Sequence, residues 1–99
     1  MIPGTTPTHT FNLPISADDI AAIRITYETN GKIVLQKETD DVTLKGNEAV
    51  VKLSQGDTLQ FGSNISVRIQ LKIRTKGGDV LVSKMIKKTT GIVLDKGEI

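Results

Sequence analysis

Apolar and polar residues alternate most clearly from Ile65 to Thr75, where Val67, Ile69, Leu71 and Ile73 are interleaved with Arg68, Gln70, Lys72 and Arg74. A period of two sustained over four repeats predicts a strand with one face in the core and the other in water. Val80 to Met85 follows after Lys76, Gly77, Gly78 and Asp79. A two-residue Gly77-Gly78 turn would pair Ile73 with Val82 and Thr75 with Val80, placing both valines on the core side. A second hairpin is signalled by Ile23, Ile25 and Tyr27, then Asn30-Gly31, then Ile33 and Leu35. A two-residue loop there puts Tyr27 opposite Val34 and turns Ile33 and Leu35 outward. A three-residue loop with Gly31 as a left-handed bulge instead pairs Tyr27 with Ile33 and Ile25 with Leu35, and is the expected form. A third hairpin, through Gly46-Asn47, pairs Leu44 with Ala49 and Val42 with Val51.

Between these hairpins, Ser54 with Asp57 three residues on predicts a capped turn, not a helix, followed by inward-pointing Leu59 and Phe61. Ser16 to Asp19 after Pro14 has the chemistry of another single turn. Phe11 and Leu13 read as a short first strand, and Ile92 to Leu94 after Gly91 as the last. Ile, Val and Thr occupy 32 of the 99 positions, the bias of pleated, half-buried surface. The expected fold is all-β: one domain over residues 1–99, an antiparallel two-sheet sandwich of immunoglobulin-like type with about seven short strands. Ile25, Leu35, Val42, Val51, Val67, Ile69, Leu71, Ile73 and Val82 are its expected buried set. An extended N-terminal arm covers about residues 1–10, and either its own sheet or a neighbouring subunit's strand edge would hold it.

Composition narrows the chemistry. There is no Cys, no Trp and a single His, so thiol nucleophiles and cysteine-bound zinc are excluded. His9 sits in a Thr and Pro stretch with no rigid element to fix an imidazole for a serine relay, so catalysis is not expected and no cofactor or metal is called for. The longest apolar run, Ile20 to Ile23, is too short for a membrane helix, and no basic, apolar leader precedes the domain. The chain therefore reads as cytosolic, with no membrane partner expected.

Charge divides along the chain, net −3 over residues 1–62 and net +5 over residues 63–99. Arg68, Lys72 and Arg74 share one strand face, a stripe able to attract phosphate. Base stacking would also need aromatic platforms, and Phe11, Tyr27 and Phe61 all stand at core-like positions. Asp18-Asp19 and Asp40-Asp41 match turn chemistry better than calcium or two-carboxylate hydrolysis, since neighbouring strand carboxylates point to opposite faces.

The opening MIPGTTPTHTFNLP, the hairpin IRITYETNGKIVLQKET and the hairpin RTKGGDVLVS resemble, nearly end to end, a group of small proteins encoded in phages and prophages of Gram-positive bacteria. The resemblance implies a late-gene virion protein of the tail or baseplate and not an enzyme. It would be located in the virion, and in the bacterial host cytoplasm during assembly, with other virion proteins and itself as partners. Members of the group often carry cysteines around the long strand and the last one. This chain has none there, so no thiol role carries over. An isolated sandwich leaves strand edges unpaired and the extended, β-prone ends can pair with them, so the expected connectors are Ile2, Pro3, His9, Phe11 and Leu13 in the arm and Ile92 and Leu94 in the final segment. A nucleic-acid-binding module using the basic face, and a receptor or glycan-binding module, are the alternatives.

Overall fold

A computed structural model describes residues 1–99. The chain is all-β, with two antiparallel sheets facing each other across one hydrophobic core. The smaller sheet is ordered β1 (Thr8–Asn12), β5 (Glu48–Lys52), β4 (Thr43–Lys45). The larger is ordered β3 (Lys32–Lys37), β2 (Ile20–Thr29), β6 (Ser66–Thr75), with β7 (Val80–Val82) and β8 (Ile86–Thr89) both on the far side of β6. Eight strands thus replace the expected seven. β7 and β8 act as one edge strand broken at Ser83–Met85, where Ser83 bonds to Leu71 by backbone (2.9 Å) and accepts from the Leu71 N–H through its hydroxyl (2.9 Å). The partner sum shifts by one residue across this break, which is a β-bulge.

The β4–β5 hairpin pairs Leu44 with Ala49 as its turn residues predict. Val42 lies just before β4 and, like Leu35, is half-buried. The other two hairpins differ from expectation. In β2–β3, Asn30 (φ 50°) and Gly31 (φ 79°) both adopt positive φ, so the loop has two residues. That geometry matches the strand twist. The register conflict is resolved by a bulge beside Tyr27 and Glu28, after which Tyr27 faces Leu35 and Thr26 faces Gln36. Ile33 is left on the outer face, 60% exposed.

In β6–β7 the loop has three residues. Asp79 N–H donates to the Thr75 hydroxyl (3.0 Å), Thr75 N–H to the Asp79 carbonyl (2.8 Å), and only Gly78 has positive φ (93°). Ile73 therefore pairs with Leu81, and Val82 with Lys72. A slip of one residue reverses every side chain, so Val80 and Val82 lie outside, each 55% exposed, and the expected burial of Val82 does not hold.

Ser54 to Leu59 also exceeds its expectation. Gln55–Leu59 forms a short helix, α1, because Ser54 and Asp57 cap each other's backbone N–H groups reciprocally (3.0 and 2.9 Å). The last strand is β8, not Ile92–Leu94. It ends where Thr90 bonds to Ile65 through both backbone (2.8 Å) and hydroxyl (2.7 Å). Ser16 caps a 3-10 turn over Ala17–Asp19, and Thr39–Asp41 forms a second such turn.

Candidate functional site

The N-terminal arm is held by its own chain. Gly4 N–H donates to the Thr58 hydroxyl (2.8 Å), which donates in turn to the Thr5 carbonyl (2.8 Å). Leu53 N–H donates to the Pro7 carbonyl (2.9 Å) and Gly91 N–H to the Met1 carbonyl (2.8 Å). Of the expected connectors, Phe11 and Leu13 belong to the chain's own core, because the odd-numbered side chains along β1 turn toward the larger sheet, and Pro3 in the arm is buried as well. Ile2 remains half exposed. Ile92 and Leu94 are 72% and 97% exposed, the most exposed of the expected connectors.

His9 on β1 reaches across the sandwich. Its Nδ1 lies 2.8 Å from Tyr27 Oη, and Tyr27 packs at 5.7 Å on the Phe61 ring. With the neutral imidazole protonated on Nε2 the Tyr27 O–H donates to Nδ1, and with it protonated on Nδ1 the direction reverses. Burial first, then the positive charges of Lys88 and the N-terminus, hold the His9 pKa below its ordinary 6.5. Burial, followed by the Asp57 carboxylate, raises that of the Tyr27 phenol. The contact ties β1 of the smaller sheet to β2 of the larger. The unfolded chain takes up its proton at higher pH than the folded chain does. His9 thus contributes no penalty above pH 6.5, and stability declines as pH falls from there toward the lower folded value. Chemical denaturation of the parent between pH 7 and 5 should show this decline, and His9→Gln should flatten it; equal slopes would dissociate His9 from the effect.

Asp57 is the group the sequence underplayed. Beyond capping α1, it pairs with Lys37 of β3 at 2.9 Å, with side chains only 15% and 17% exposed. Burial opposes its ionisation, but the Ser54 N–H and the Lys37 ammonium outweigh that and hold its pKa below the ordinary 3.8. This stabilisation is present above pH 3.8 and is lost as pH falls through the folded value below it. At neutral pH, Asp57→Ala should cost about 2 kcal/mol by removing a cap and leaving a half-buried ammonium unpaired. Urea unfolding measures it; a loss under about 0.5 kcal/mol, the size of an ordinary surface change, would mean that neither contact stabilises.

The basic stripe is interrupted. Arg68 donates from Nε (3.0 Å) and Nη2 (2.6 Å) to Glu28, its cross-strand neighbour, whose pKa the contact lowers. Arg24 is likewise paired with Glu38 at 2.8 Å. Lys72 and Arg74 keep free cations, in a shallow depression of about 180 Å³ shared with Ala22, Arg24, Glu38 and Val80. No aromatic side chain stands on that face. No helix is long and apolar enough to cross a membrane. Compared with known proteins, the chain matches no family model, no curated protein and no solved structure.

Proposed function

We propose that this chain is a non-enzymatic structural protein of a phage or prophage virion, tail or baseplate associated, built on an immunoglobulin-like sandwich and docking through strand edges and its C-terminal segment. The strand order supports the fold reading. If strand A is taken as missing, β1, β5 and β4 stand where strands B, E and D would, and β3, β2, β6 and β7/β8 stand where C′, C, F and G would. The buried Tyr27 on β2 takes the place of the tryptophan that antibody domains bury on strand C.

The observation that carries the assembly reading is the exposed apolar tail, with Ile92, Leu94 and Ile99 uncovered beside strands whose outer edges are unpaired. Exposed edges of this kind invite pairing with another chain. Mass spectrometry of virions purified from a host carrying the gene should find the chain at structural copy number. If virions lack it and it binds no product of its neighbouring genes, the reading fails and a host-directed binding role moves ahead. The basic face offers the second reading through Lys72 and Arg74; tight, steeply salt-dependent DNA binding that Lys72→Gln with Arg74→Gln abolishes would establish it.

A further inference from the structure

Strand β1 pairs with β5 on one side only. The bonds Leu53 N–H to Pro7 carbonyl and Leu13 N–H to Asn47 carbonyl (2.7 Å) show that residues 7, 9, 11 and 13 face β5. The backbone groups of Thr8, Thr10 and Asn12 therefore point to the open side of the sandwich, where they have no partner. Along the Thr10–Pro14 part of that edge runs a groove of about 330 Å³, with Phe11, Leu13, Leu71 and Ile86 in its walls and Lys88 among them. Lys84 lies in the break of the same edge, and neither it nor Lys88 is in an ion pair, whereas Lys87 faces Arg68 across the ladder and shares its outer face. No carboxylate lies between Thr8 and Leu13 of β1.

The C-terminal segment has complementary properties. Ile92 and Leu94 are two residues apart and exposed, and the carboxylates of Asp95 and Glu98 follow them unpaired by any cation. In an extended segment Ile92 and Leu94 share one face. The segment leaves from Thr90, which is fixed to Ile65, and its last residue bonds to Gln55 of α1 (2.7 Å). This is the end of the sandwich where β1 begins, opposite the Leu13–Pro14 end of the groove. Met1 also bonds to Gly91, closing the β8 edge between the segment and its own groove.

From this we infer that residues 92–99 of one copy add as a strand to the open edge of β1 in a second copy. Ile92 and Leu94 enter the groove and the carboxylates meet the lysine rim, so copies join head to tail. The inference rests on the assembly reading and specifies its contact. Backbone hydrogen bonds supply the affinity of such strand addition, and alternate side chains its specificity. A head-to-tail contact of this type does not close on itself and propagates as an open chain.

Sedimentation equilibrium on three proteins tests it. Full-length chain should associate increasingly with concentration and less at high salt, since the rim contacts are exposed charges. A chain ending at Gly91 should be a folded monomer. Thr10→Pro should be one too, because the Thr10 N–H faces away from β5 and the proline removes no internal bond while blocking the edge. Mixed one to one, the two variants should form a dimer that grows no further, since one brings only an edge and the other only a tail.

Should Thr10→Pro fail to melt cooperatively, a Gly91–Ile99 peptide titrated into the chain ending at Gly91 replaces it, with amide shifts centred on Thr8, Thr10 and Asn12 as the expected result. Full-length protein that stays monomeric at every concentration, truncated protein that associates as well as full-length, or a mixture and a peptide that both fail to bind would overturn the inference. Finding the chain in virions alongside those failures would leave the assembly reading standing without this contact.

Discussion

Deleting residues 1–10 is expected to abolish cooperative folding. Read as a sequence, the arm lies outside all three hairpins, so its loss should leave a folded monomer. In the structure it is part of the fold. The deletion removes the buried Pro3, the Leu53–Pro7 and Gly91–Met1 bonds, His9 from Tyr27, and most of β1. The buried Thr58 hydroxyl loses both Gly4 and Thr5 and keeps only weak contacts within its own helix, at 3.2 and 3.5 Å. The smaller sheet would be reduced to the β4–β5 hairpin, and an isolated two-stranded ribbon is marginally stable at best. The entropy regained by freeing ten residues offsets part of this loss. However, domains of this size hold only about 5–15 kcal/mol in total, and each internal hydrogen bond contributes about 1 kcal/mol on top of the uncovered core. Circular dichroism melting should show no sharp transition, with dye binding to exposed apolar surface. A cooperative melt within a few degrees of the parent would show that β1 is dispensable.

Truncating Tyr27 is expected to be the most damaging single substitution. The side chain is fully buried near the C-terminal end of β2, faces Leu35 and Ile69 in the ladder, packs on Phe61 and closes the hydrogen bond to His9 across the two sheets. Tyr27→Ala would leave a cavity where the sheets meet and should cost about 3–5 kcal/mol. In a chain of this length that lowers Tm by roughly 15 °C or more. Tyr27→Phe keeps the ring and removes only the hydroxyl, at about 1 kcal/mol. Urea unfolding of the pair separates packing from hydrogen bonding. Equal losses in the two variants would mean that the ring itself is not what holds the sheets together.

Much of the fold was legible from local pattern. The alternation from Val67 to Ile73 marks a strand whichever neighbours it finds, because period two and β-branched content are local properties. Gly46-Asn47 set the β4–β5 register, and the turn at Ala17–Asp19 follows from Ser16. Ser54 and Asp57 announced a cap, although the helix behind it was underestimated.

What only the tertiary structure decided was register, edge and partner. The Asn30-Gly31 loop is two residues long, and its conflict with the apolar pattern is settled inside the strand by a bulge that no spacing rule places. The Thr75 hydroxyl widens the β6–β7 loop by one residue and so turns Val80 and Val82 outward. The final apolar triplet extends no sheet, because Thr90 and Met1 close the β8 edge before it. The same holds for the candidate contacts. Nothing in the spacing of Lys37 and Asp57, of His9 and Tyr27, or of Arg68 and Glu28 marks them as pairs, since each joins strands or turns distant in sequence. The apolar tail was visible as residues. That β1 leaves an open edge, while its own tail departs from the opposite end, is a property of how the two sheets face each other, and no local pattern along the chain encodes it.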